Sequence, residues 1–300
     1  MTVRRIYDRL ATEDAYQLGV KVPKVADVVL SRAPIRVACD NAASWFWTST
    51  QNDWTLGDDT GPIRLPFDEM WFEWEMPTRI YADHEWGDSP AGYAMACYLR
   101  RSEHVARDML NVKAHEYLTA TLIVAAPGAP IGLMPWSALL AVDRDGALIK
   151  WSVFYDQDAV HLGGMTENQC HNTAHDHLMP ALIAVGMMNC KNVSVREVQP
   201  APIRNRAQRK RGEMRFSYHV IELPTKGASK SRAEARREAG EANALHLVRG
   251  HFKTYTGEAP LFGSRTGTYW WGWHERGSVE SGVSLHDYSV AYSVATQDAR

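Results

Sequence analysis

The run LMPALIAVGMM, residues 178–188, is the longest apolar stretch of the chain and has to be buried. It is too short to cross a bilayer, which takes about 20 residues of helix. Upstream, Thr166 stands three residues before Gln169, the spacing of a capping box that opens a helix. Leu178, Leu182 and Val185 continue the helical spacing. The reading is one long helix over 167–188, with a kink or restart expected at Pro180. A helix this apolar calls for a sheet to pack on. MWFEWEM, 70–76, supplies one strand: Met70, Phe72, Trp74 and Met76 point one way, Glu73 and Glu75 the other. A second covers 116–128 and ends at Pro127-Gly128, and 139–155 reads as a hairpin turning at Asp145-Gly146. Segments 192–198 and 216–223 read as two more strands.

The N-terminal part reads as helical. Residues 2–19 place Ile6, Leu10, Tyr16 and Leu18 near helical spacing, and 24–43 reads as a second helix interrupted at Pro34. The fold class expected is therefore mixed α/β (α+β), with a central, largely antiparallel sheet. Four regions follow: a helical N-terminal region, 1–43; a central α+β domain, 44–200; a basic arm containing one strand, 201–240; and a C-terminal aromatic β-module, 241–300. The N-terminus has charges throughout and no apolar core of a signal peptide. Cys39, Cys97, Cys170 and Cys190 are far apart and form no CxxC, which suits reduced thiols and a cytoplasmic location.

Charge is segregated along the chain. Residues 53–88 hold ten Asp and Glu against two Arg, whereas 201–240 hold eleven Lys and Arg against four Glu. The basic stretches 203–212 and 226–240 carry few large apolar residues and flank the 216–223 strand. Two readings stand: a solvated linker that balances the acidic half, or a surface for RNA or a ribosome-associated complex, with Arg209, Lys210 and Arg211 among its phosphate contacts.

QCHNTAHDHL, 169–178, puts His171 and His175 on one helix face, with Cys170 and His177 close by. The ligand set is incomplete for zinc, so no metal is assigned, and no cofactor is called for. In the acidic stretch, Glu73 and Glu75 share a strand face. They read as part of a solvated sheet surface or as a paired-carboxylate site.

HLVRGHFKTY, 246–255, and GTYWWGWHERGS, 267–278, each pair a His with an Arg beside glycine. As two antiparallel strands, they bring Arg249, His251 and Lys253 beside Trp270, His274 and Arg276 in the registers that set odd residues against even ones. The opposite parity sends the His/Arg pairs to opposite faces, and the long 256–267 loop leaves the register open. With convergence, His251 and His274 are candidates for general acid and base, Arg249, Lys253 and Arg276 for phosphate contacts, and Trp270 for stacking on a base. That chemistry suits metal-free RNA cleavage, or RNA binding alone. The alternative is a polar face over an aromatic hairpin core.

The RGHF strand with its Trp-containing return strand resembles the C-terminal end of the type V-A anti-CRISPR family that blocks biogenesis of the CRISPR effector. LMPALIAVGMMNCKNVSVREV followed by FSYHVIEL is similar to that family's helix, strand, basic stretch and strand, and IRLPFDEMWFEWEM to its aromatic strand. The likeness is loose over about 60–288 and strongest at 246–277. It carries over to Arg249, Gly250 and His251, and to Trp271 or Trp273. The resemblance implies a phage-type anti-defence or host-takeover protein that acts on RNA or a nascent-chain complex and lowers expression of a target. The family does so by recognising a nascent peptide and promoting messenger decay. Two rival expectations remain: a metal-free ribonuclease, and an adaptor or virion-associated protein that contacts only a host or phage protein. No membrane partner is expected, and the sequence leaves the oligomeric state open.

Overall fold

The computed structural model describes residues 5–17, 20–47, 54–76, 92–155, 164, 166–200, 216–223, 244–248, 250–272, 274–276 and 278–283. The fold is mixed α+β. Its core is a ten-stranded sheet. In chain order the strands are β1 (Ala15–Gln17), β2 (Val20–Lys21), β3 (Ile35–Ala38), β4 (Glu69–Glu75), β5 (Ala94–Arg101), β6 (Glu116–Ala125), β7 (Ile131–Val142), β8 (Leu148–Tyr155), β9 (Ser194–Val198) and β10 (Tyr218–Glu222). Across the sheet they run β2-β1-β7-β6-β5-β4-β3-β10-β9, and β8 also pairs with β7. Most pairings are antiparallel, as expected, but β1 joins β7, β3 joins β4 and β10 joins β3 in parallel.

Helices cover both faces. Helix α1 (Ile6–Leu10), α2 (Pro23–Arg32) and α4 (Glu103–Leu110) lie on one face, α3 (Asp40–Trp47) and α5 (Glu167–Met188) on the other. Alternation then decides which core each strand residue joins. Met70, Phe72 and Trp74 pack beneath α3 and α5, while Trp71 packs beneath α1. The long helix starts as its sequence dictates: the Thr166 hydroxyl accepts from the Gln169 backbone N–H, and the Gln169 side-chain oxygen Oε1 accepts from Thr166 N–H at 2.8 Å. It continues as one helix through Pro180, so the chain does not restart there, and from Leu178 to Met187 every residue is buried. Burial on all sides compensates the hydrogen bond that proline withholds.

Two expectations at the N-terminus are corrected. The helix over 2–19 is confined to Ile6–Leu10, because Tyr16 and Gln17 are drawn into strands that pair with β7 and β2. The second helix does stop before Pro34, at a left-handed Ala33, but the chain then enters strand β3 before α3 begins. The boundaries at 43/44 and 200/201 consequently separate nothing. β3 lies between β4 and β10, so pieces of three expected regions share one sheet.

The C-terminal part adds β11 (Ala244–Val248), β12 (His251–Tyr255), β13 (Gly267–Trp271), β14 (His274–Arg276) and β15 (Ser278–Val283). β12 and β13 form a two-stranded ribbon, and β11 pairs with β14 and β15. Among the described residues, no helix is long and apolar enough to cross a membrane.

Candidate nucleic-acid interface

The β12–β13 ribbon is fastened to the chain just beyond α5. Lys191 N–H donates to the Thr268 carbonyl at 2.9 Å. The Asn192 side chain donates to the Trp270 carbonyl at 2.7 Å and accepts from Trp270 N–H at 2.9 Å. One short turn thereby holds the edge of β13. The ribbon's inner face carries Phe252 opposite Trp270. Trp270 is 3 % exposed, with its ring centroid 4.7 Å from Trp45 and 4.8 Å from Phe252. Glycines make room for these rings. A Cβ on Gly250 would sit 2.9 Å from Trp270, and one on Gly186 of α5 would sit 3.2 Å from Phe252 and 1.8 Å from the Thr60 carbonyl oxygen.

This packing fixes the register. His251 stands opposite Trp271, Lys253 opposite Tyr269 and Tyr255 opposite Gly267, so odd residues meet odd residues. The neighbouring ladder keeps the same parity: Val248 stands opposite His274 and His246 opposite Arg276. The composite site needed the other parity. On this ladder Trp270 falls on the face opposite His251 and Lys253, whereas His274 and Arg276 lie in β14, which pairs with β11 rather than with β12. Trp270, the expected stacking surface, is a core residue. Its placement has one physical cause, the burial of Phe252 and Trp270 in the same socket. Arg249, Trp273, Arg209, Lys210 and Arg211 lie outside the described residues.

What the register does create is a different outward face. His251, Lys253, Tyr255, Tyr269 and Trp271 line up on it, with Lys253 exposed and the four rings half-buried. The Tyr255 and Tyr269 rings meet edge to face at 5.8 Å, and Lys253 Nζ lies 5.1 Å from the Tyr255 ring centroid. The stem of Lys191 crosses the backbone at Gly267, the position opposite Tyr255. Aromatic planes interleaved with cations are the elements of a surface for unpaired bases and their phosphates. The chain segments that surround this face matter too. Glu222, the last residue of β10, pairs with Ser194, two residues after Asn192. The basic stretch 226–240 follows β10 in the sequence and lies outside the described residues. Comparison of the chain with protein families, with curated proteins and with solved structures finds no match.

The other candidates have structural roles. His171 and His175 do share a helix face, and it packs on Trp151 of β8, with centroids 4.1 and 6.1 Å away. His175 Nδ1 lies 2.9 Å from Asp176. His177 turns inward toward Trp47, where burial lowers its pKa to about 4. Among the described residues, no group of three His, Cys, Asp or Glu converges to hold a metal. All four cysteines are buried, and burial raises their thiol pKa values, that of Cys190 to about 12, which disfavours the thiolate.

Glu73 overturns the solvated-face reading. It is 1 % exposed beneath α1, and its carboxylate accepts from Ile6 N–H, Tyr7 N–H, the Trp71 indole at 3.0 Å and the Tyr218 hydroxyl at 3.4 Å. Burial raises its pKa against the pull of Arg5 and these donors. Glu75 is exposed at the strand end, so the two carboxylates form no pair. A cleft of about 400 Å³ beside α4 is lined by Arg101, Arg107, His115, Glu116 and Tyr117. Arg101 is already held by Asp68, Glu116 and the Leu65 carbonyl.

Proposed function

We propose that this protein binds RNA, free or within a ribosome-associated complex, and lowers expression of a target without performing a chemical step itself. The carrying observation is the aromatic, lysine-bearing face of the ribbon, in a chain whose sequence also holds the basic stretches 203–212 and 226–240. Positive charge supplies sequence-independent affinity, and a rigid aromatic face supplies contact with bases. The resemblance to the anti-CRISPR family adds the setting: an anti-defence or host-takeover protein of phage type acting in the host cytoplasm. The ribonuclease reading has less support, since β14, which carries His274, pairs with β11 and not with the β12 strand of His251.

The test is the salt dependence of RNA binding. Replacing Arg209, Lys210 and Arg211 together by Gln is expected to weaken binding and flatten the plot of log affinity against log salt. The slope falls by about 0.7 for each single-strand phosphate that the protein ceases to neutralise. An unchanged slope, or capture of proteins alone from infected cells, overturns the proposal.

A further inference from the structure

We infer that the outward face of the β12–β13 ribbon is a stacking platform for unpaired bases, so that the ligand class is single-stranded RNA rather than duplex. This rests on the RNA-binding reading above and gives it a site and a substrate form. Three observations carry it. The face holds two tyrosines on adjacent rungs, Tyr255 and Tyr269, whose rings are partly exposed and in contact at 5.8 Å. Neighbouring aromatic surfaces on a ribbon offer planes to successive bases, and every base has a face to give. A duplex has its faces stacked inside and offers none. The cations stand where a backbone that follows those bases would pass. Lys253 lies against the Tyr255 ring and Lys191 crosses Gly267. From His251 to Trp271 the sequence holds one carboxylate, Glu258, and it lies in the connecting loop. Finally, the platform is pre-ordered. Phe252 and Trp270 lock its inner side into the core, and Asn192 clamps β13 through two hydrogen bonds, so little ordering remains for binding to impose.

A purely structural role for the two tyrosines predicts something different: loss of stability on their removal, with no distinction between ligands. The experiment uses the full chain and two fluorescent probes, a twelve-nucleotide oligouridine and an RNA duplex of equal length, read by anisotropy. The single strand is expected to bind at least tenfold tighter than the duplex. Tyr255→Ala and Tyr269→Ala are each expected to weaken the single strand by about tenfold or more and to leave duplex binding unchanged. Tyr255→Phe and Tyr269→Phe retain the plane and are expected to bind as the wild type does. Lys253→Gln, at an exposed position, is expected to lower the salt slope for the single strand and gives a second readout should an alanine variant misfold. Equal affinity for the two probes, or alanine variants that fold and bind the single strand normally, overturns the platform. In that case the RNA-binding reading still stands if the Arg209, Lys210 and Arg211 variant loses affinity. Failure of both probes to bind overturns the two together. Loss of a protein partner in the tyrosine variants, with RNA binding intact, assigns the face to protein and also overturns the platform.

Discussion

Glu73 has four donors aimed at it and almost no exposure, yet in the sequence it is one of two glutamates alternating with aromatic residues. The pattern MWFEWEM has the same period whether a strand is covered on one face or on both. Only the arrival of α1, from residues far away in the chain, makes Glu73 a buried cap and Trp71 its neighbour. His177 shows the same limit. Its spacing marks it as a helix residue near other histidines, and nothing local says that it alone turns into the core beside Trp47. Its burial has a pH consequence. The native state holds His177 neutral down to about pH 4, whereas the unfolded chain protonates it near its ordinary value of 6.5. The unfolded state therefore binds more protons in that window, and stability falls as the pH drops from 6.5 to 4. The contribution is up to about 3 kcal/mol at 1.36 kcal/mol per pKa unit. Urea unfolding of the wild type and His177→Leu at pH 7, 5.5 and 4.5 checks this. The stability difference between them is expected to shift toward the variant as the pH falls, and a constant difference rules it out.

At the scale of elements, legibility follows locality. Helix α5 is readable because its start is set by two residues three apart and its length by an uninterrupted apolar run. The hairpin at Asp145-Gly146 is readable for the same reason: a short turn fixes its own register. The β12–β13 ribbon is recognisable as a pair of strands, but not in register, since the loop between them is long enough to permit either parity. The decision is made by tertiary contact, where Phe252 and Trp270 fit one socket and leave His251 and Lys253 on the other face. The clue in the sequence is the pair of large apolar residues at even positions, which the His/Arg echo overshadows. The socket itself is testable through Gly186. A methyl group there meets the Thr60 carbonyl oxygen at 1.8 Å, so α5 has to move away from the 54–65 segment and loosen Phe252. Gly186→Ala is expected to cost about 3 kcal/mol, at the upper end for overpacking. Thermal unfolding measures the loss, and a red shift of tryptophan emission reports Trp270 leaving the core. An unaltered melting temperature contradicts the socket.

Across the whole molecule, chain order and spatial order disagree, and this is what the expected division into four regions missed. The β3 edge is filled by β10, so the sheet is built from both sides of the acidic and basic halves. Arg36 donates to the carbonyl of Ser217, 181 residues later, at 2.8 Å, and Asn41 donates to that of Ile221 at 2.7 Å. A chain ended after Pro200 lacks β10 and leaves Glu73 without Tyr218. It is expected to show no cooperative melt in calorimetry, and a sharp transition near that of the full chain refutes the shared sheet. The same parallel pairing sets a schedule for biosynthesis. A ribosome adding about 5–20 residues per second needs roughly 10–40 s to travel from β3 to β10. For that interval the β3 edge waits with its backbone groups unmatched, and the carboxylate of Glu73 waits for its tyrosine. The last strand to enter the sheet is also the one that both basic stretches flank in the sequence. Closure of the ten-stranded sheet is therefore a late event in the life of the nascent chain, and the ribbon that brings Trp270 to the core is made later still.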